Sequence, residues 1–250
     1  MVYFYAKKEK RIKSVVLLGT LVNGFCILLG GGIGMVLDKI PESMKKTVMQ
    51  GIGVVLLVLG MNMAMQSNNS LILIVSVVIG VVLGEWWAIE DKFNSAGKWL
   101  ETKLKSTNST SLAQGFVTAT LVFILGAMSI LGPLDSGIRG DHQILFTKAI
   151  IEGFIAIVLA TTLGVGVLFA AIPVIIYEGI IALFAMQIDQ FVPPEALKML
   201  LAEFSAVGGV MIIAIGLDIL GLLKVKVANF LPSILVVAAI IAGIYLYQSF

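Results

Sequence analysis

Runs of apolar residues recur along the chain at about 15–37, 48–66, 71–90, 114–131, 148–166, 168–186, 199–221 and 231–248. Each is close to the roughly 20 residues that a helix needs to cross a hydrocarbon core of about 30 Å. Helices are the expected form, because a backbone in lipid must satisfy its own polar groups. The alternation of a membrane strand is absent. The pattern therefore predicts an all-α, polytopic transmembrane helix bundle of about eight spans. Counts of seven or nine also fit, since only Gly164-Val165-Gly166 separates the fifth run from the sixth.

The third run leads into a different pattern. Trp86, Ile89, Phe93, Ala96, Leu100 and Leu104 recur at three- and four-residue steps, with Lys92, Lys98, Glu101 and Lys105 between them. That is the signature of an amphipathic helix. All three tryptophans, Trp86, Trp87 and Trp99, lie here, which places the helix at the headgroup level of one membrane surface. Ser106–Ser111 then reads as a flexible linker. The chain divides into a basic tail (1–14), a first membrane half (15–105), a linker (106–113) and a second membrane half (114–250).

Composition agrees with the pattern. Hydrophobic residues make up 59% of the 250, and charged residues 13%, against about 25% in a soluble domain. The net charge of +2 is spread over loops, so nucleic acid is not an expected partner. The single cysteine, Cys26, excludes an intrachain disulfide and a cysteine metal site. Lys and Arg divide about evenly between the two sides when the tail is counted, and roughly three to one without it, so the charge rule assigns no orientation.

Internal similarity is visible. Ile150-Ile151-Glu152-Gly153 resembles Ile176-Tyr177-Glu178-Gly179, and Pro41-Glu42-Ser43-Met44-Lys45 resembles Pro194-Glu195-Ala196-Leu197-Lys198. Gly60-Met61-Asn62 and Gly216-Leu217-Asp218 follow the latter two. Duplicated halves are a transporter trait, although apolar low-complexity sequence also yields chance matches.

Polar residues within the apolar runs carry the sharpest functional signal, because a charge at mid-bilayer costs on the order of 3 kcal/mol and faces protein or water. Four precede glycine: Asn23-Gly24, Gln50-Gly51, Glu152-Gly153 and Glu178-Gly179. Glycine lets helices approach closely, and the neighbouring polar group then points into a tight interface. Glu152, Glu178, Asp218 and, in the functional reading, Glu203 are candidates for a cation or proton pathway, with Asn23 and Asn62 as amide partners. Glu85 reads as an interfacial residue beside Trp86, and Glu203 as a helix-start charge. The most polar interruption, 126–153, adds Asp135, Asp141, the sole histidine His142, and Lys148. Its Gly132-Pro133, Gly137 and Gly140 predict an unwound segment over 132–148 that either dips into the membrane as a re-entrant element or forms an external loop. The glycines at 30, 34, 80, 84, 208 and 209 read as packing devices; they have no nucleotide-binding context.

Several stretches resemble a bacterial membrane-protein family called domain of unknown function 554. They are Gly19-Thr20-Leu21-Val22-Asn23, Gly126-Ala127-Met128-Ser129-Ile130, Leu145-Phe146-Thr147-Lys148-Ala149, Gly164–Phe169 and Val227-Ala228-Asn229-Phe230-Leu231-Pro232. The resemblance covers about 19–240 and implies a polytopic inner-membrane protein, with no activity attached. It implies an amide as the usual residue where Glu178 and Asp218 stand, so both acids are departures.

Two functions fit these observations. One is a secondary transporter, or ion-coupled carrier, of a small solute or cation in the cell membrane. The other is a passive channel or an oligomeric structural or assembly protein, in which the polar residues join helices and the partner is a further copy of the chain in a homo-oligomer. An enzyme is not expected, because one histidine and one cysteine supply no nucleophile–base set. Neither a cofactor nor a metal is implied.

Overall fold

A computed structural model describes residues 16–37, 41–104 and 109–248. The basic tail 1–14, residue 105 and residues 106–108 of the expected linker lie outside the described residues. The described chain is helical, with no strand: α1 (Leu18–Val36), α2 (Glu42–Ala64), α3 (Ser70–Trp86), α4 (Ile89–Leu104), α5 (Ser109–Ile124), α6 (Met128–Arg139), α7 (Gln143–Leu163), α8 (Gly166–Phe169), α9 (Ala171–Phe191), α10 (Pro194–Ile219) and α11 (Pro232–Gln248).

Local chemistry sets the boundaries. Asn69 caps α3, its side chain accepting from the Leu71 N–H at 3.0 Å, which satisfies one donor of the first turn. Pro41 and Pro193 precede α2 and α10 in extended conformation. Gly140 ends α6 with φ 70° in the left-handed region, a position open to glycine at little cost.

Glycines then decide which helices meet. A side chain at Gly30 would strike the Gly153 carbonyl, and one at Gly34 the Ile157 carbonyl, so α1 lies backbone-to-backbone against α7. Gly60 faces Gly209, and Gly53 faces Leu220 and Gly216, which joins α2 to α10. Gly80 and Gly84 seat α3 on Ser233 and Asn229, at the start of α11 and just before it. The glycines expected to be packing devices do that here, whereas Gly32, on the same helix as Gly30 and Gly34, has no heavy atom within 4 Å of its would-be side chain.

The same pairs give direction. Gly19, Gly30 and Gly34 meet Leu145, Gly153 and Ile157 in ascending order, so α1 and α7 are parallel. An even number of crossings must separate the starts of parallel neighbours. Three come from α1, α2 and α3, so α5 and α6 together make the fourth, as one span bent by 59°. With α7, the α8–α9 pair, α10 and α11 the bundle has eight crossings, in keeping with the six to eight spans that length and apolarity allow. The start of α1 defines one membrane face, called here the N side.

This corrects one expectation. Residues 132–148 are not unwound: α6 occupies Met128–Arg139, and α7 begins at Gln143. Pro133 lies in the middle of α6, which forgoes the one backbone hydrogen bond its N–H would have made. The break falls instead at Leu125–Ala127, around Gly126 with φ 126°.

Two cores flank α5. Its Val117 and Leu121, with Leu125 just past its end, pack with α2, α10 and α11 through Leu56, Val207, Met211 and Val237. Ala119 and Phe123, on its other face, pack with α1, α7, α8 and α9 through Ile27, Ala156, Leu159 and Val174. The polar helix α4 turns 55° away from α3 at Ala88, with Trp86, Trp87 and Trp99 exposed, consistent with a surface-lying amphipathic helix.

Candidate functional site

The break between α5 and α6 creates the most polar point of the interior. In a continuous helix the Phe123 carbonyl would accept from an N–H four residues on. Here it accepts from the Lys148 ammonium at 3.0 Å and from the Ser129 hydroxyl at 3.0 Å. It also lies at the negative end of the α5 dipole, where a cation is favoured.

Lys148 donates twice more, to Glu152 Oε1 at 2.5 Å, one turn along α7, and to Glu178 Oε1 at 2.8 Å on α9. Asn23 Nδ2 on α1 donates to the same Glu178 oxygen at 2.9 Å. Exposure is 0% for Asn23 and Glu178, 4% for Lys148 and 6% for Glu152, so no solvent shares these charges. All three ammonium protons are used. Three acceptors have no donor: Asn23 Oδ1, Glu152 Oε2 and Glu178 Oε2.

The local sequence explains the convergence. Three of the four polar-glycine pairs meet here, with Gly24 packed on Ile175 and Gly153 on the Cys26 carbonyl. Close backbones force the adjoining polar side chains into one small volume. Gln50-Gly51, the fourth pair, faces outward, with nothing near Gly51.

The other candidates fall elsewhere. Asp135 pairs with Arg139 at 2.8 Å, and Asp141 Oδ1 accepts from the Gln143 N–H at 2.9 Å at the start of α7. His142 Nδ1 lies 2.8 Å from Ser136 Oγ, which donates its one proton to the Val16 carbonyl at 2.6 Å. Nδ1 is therefore the protonated nitrogen, and Nε2 is buried without a partner. These three residues form an outer polar layer on the N side. Between it and the ion cluster stands Leu145, fully buried, with its side chain against the backbones of Gly19 and Gly132. His142, Leu145, Lys148 and Glu152 recur at three, three and four residues along α7, so one helical face holds the outer layer, an apolar plug and the cluster.

Asn62 and Asp218 do not join the cluster. They stand near the ends of the antiparallel pair α2 and α10, on opposite membrane faces. Asn62 is exposed. Asp218 lines an open cavity of about 620 Å³ on the face opposite the N side, together with Glu90, Asp91, Gln114, Thr118 and Lys224. Burial beside this cavity pushes the Glu90 carboxyl above its usual range, against the lowering effect of the Ala228 N–H that it accepts.

Two glutamates have other structural duties. Glu203, expected as a helix-start charge, is buried on α10 and accepts from Ser67 Oγ at 2.7 Å and from the N–H groups of Asn68 and Asn69 at 2.8 and 3.1 Å. It anchors the α2–α3 turn. Glu85, at the end of α3, binds Lys226 and Asn229 at 2.6 Å each. Reading the residues missed the Phe123 carbonyl, since no side-chain pattern signals a freed backbone oxygen. It also missed Leu145, which the helical spacing from His142 to Glu152 places on the same face.

Comparison with known proteins agrees with the architecture. The family model described as "Protein of unknown function (DUF554)" matches residues 18–242. The chain is similar to "Uncharacterized membrane protein YdfK" of Bacillus subtilis (strain 168), 35% identical over 234 residues, covering 92% of this chain and 97% of that one. It is also similar to "Uncharacterized protein YqgA" of Escherichia coli (strain K12), 28% identical over 223 residues, covering 87% and 93%. No solved structure matches.

Proposed function

We propose that this chain, which belongs to the DUF554 family of membrane proteins, is an ion-coupled secondary carrier of a small solute or cation in the cell membrane. The observation that carries this reading is the Asn23–Lys148–Glu152–Glu178 cluster at the break of a membrane helix. Removing an ion from water to such a place costs several kcal/mol, and apolar residues of equal volume join helices without that penalty. A charged centre at a discontinuous helix is an arrangement carriers use to bind and release ions near the midplane.

Two further features support the reading. The cluster is closed to solvent, with Leu145 between it and the outer polar layer on the N side, which suits an occluded state. The separate cores on either face of α5 provide two bodies that can shift against each other. Asp218 and its cavity are a surface vestibule on the opposite face.

The test is solute-driven exchange in liposomes holding a pH-sensitive dye, screened with amino acids, polyamines and monovalent cations. Wild type is expected to respond to at least one class, and Glu152→Gln to lose the response while its melting temperature in detergent stays within a few degrees. Equal flux in that variant would remove the cluster from the mechanism.

A second reading has its own observation: every ammonium proton of Lys148 is satisfied, as in a static network joining α1, α5, α7 and α9. Under it the same substitution lowers stability and changes no flux.

A further inference from the structure

The ion cluster has an uneven charge. Glu152 and Glu178 bring two negative charges, and Lys148 one positive charge. Asn23 from α1, the Phe123 carbonyl from α5 and the Ser129 hydroxyl from α6 add none. From α9, Tyr177 stands next to Glu178 in sequence and is neutral as a phenol. Ionised throughout, the cluster would hold one uncompensated negative charge with 0–6% exposure. A lone buried charge is among the most costly features a protein can carry.

Hydrogen bonds show the same deficit. The ammonium has no proton left to give, and one Asn23 amide bond is made. Yet Glu152 Oε2, Glu178 Oε2 and Asn23 Oδ1 are all buried acceptors without donors. One added proton on a carboxylate oxygen removes the excess charge and turns one of these acceptors into a donor for a neighbour. A metal ion fits less well, since it requires a shell of several oxygens and would sit beside an ammonium that already fills the centre.

We propose that the Asn23–Lys148–Glu152–Glu178 cluster is a binding site for one exchangeable proton, held on one of its two carboxylates, and that this proton is the coupling ion of the carrier. The step is a simple association: a carboxylate oxygen and a proton form one O–H bond, and the reverse returns the carboxylate. This inference rests on the carrier reading for its coupling role. The proton count itself does not.

The experiment separates the two. Infrared spectroscopy of the purified, full-length protein in detergent counts buried protonated carboxyl groups from the acid C=O band, with Glu152→Gln/Glu178→Gln as the blank. Wild type is expected to show one protonated carboxyl at neutral pH. Glu152→Gln and Glu178→Gln, each leaving one carboxylate against Lys148, are expected to show none. Lys148→Met, which removes the only positive charge, is expected to show two. The two glutamine variants keep the shape of the site, so the count can be read even where Lys148→Met fails to fold. A wild-type protein with no acid band above the blank, or a single glutamine variant retaining the full band, overturns the proposal. A correct count combined with solute exchange that moves no protons keeps the site and refutes its coupling role. A correct count with no exchange of any solute refutes the carrier reading and leaves the proton site standing.

Discussion

Lys148 decides the character of the interior. Its ammonium joins two carboxylates and a backbone carbonyl in one buried point, so its removal leaves both carboxylates without their positive partner. Lys148→Met should therefore destabilise the detergent-solubilised protein by about 3–5 kcal/mol, the usual cost of breaking a buried ion pair from one side. Adding Glu152→Gln and Glu178→Gln to it should recover most of that loss, as measured by denaturant or thermal unfolding. If the triple variant is no more stable than Lys148→Met, the cost lies in packing. Outside the spans, Glu90 offers a pH signature. Burial raises its carboxyl, so the folded state favours the protonated form. Its contribution to stability is full at low pH and fades as pH rises through the raised value. Glu90→Gln should flatten that part of the pH dependence of unfolding; an unchanged slope would show that Glu90 takes no part in it.

Among the described elements, the contact of α1 with α7 is the most extensive, and glycine makes it close. Gly30→Ala places a methyl group against the Gly153 carbonyl and should cost about 1–3 kcal/mol as the helices are forced apart. Gly32→Ala, on the same helix but facing open space, should be neutral or slightly stabilising. Equal melting temperatures for the two variants would contradict the packing. Leu145 marks where the N side meets the cluster, and Leu145→Ala should raise the proton leak of reconstituted liposomes without lowering folded yield by more than a few-fold. A leak that stays at the wild-type level would mean that Leu145 does not seal that face. These elements also show what the sequence could and could not reveal. Apolar runs disclosed the spans, because hydrocarbon thickness imposes their length. Polar-glycine pairs disclosed Asn23, Glu152 and Glu178, because close helix packing leaves such pairs little choice of surroundings. The start of α7 was hidden: Thr147 and Lys148 look like a helix entrance, yet the helix begins at Gln143, since two carboxylates neutralise the lysine within it. The break at Gly126 was hidden behind Gly132-Pro133, a stronger breaker by composition that the fold absorbs into α6.

At the scale of the whole molecule, parallel packing of α1 and α7 is informative because it joins segments more than 100 residues apart in the sequence. Antiparallel pairs α2 with α10 and α3 with α11 do the same on the other face of α5. The helices α2 and α10 thus stand side by side, but their matched motifs, with Asn62 and Asp218 among them, lie at opposite membrane faces. No reading of one chain could have placed them, because direction depends on how many times the intervening chain crosses. The cluster lies in one core and the α2–α10 pair in the other, with α5 between them and broken next to the cluster. Movement of one core against the other would act on that break first. The most direct test compares solute-driven proton movement in liposomes containing equal amounts of folded wild type and Glu178→Gln. The carrier account predicts a loss of about tenfold or more in the variant, equivalent to about 1.4 kcal/mol of lost interaction with the moving charge. Flux within twofold of wild type, with both proteins folded, would contradict it.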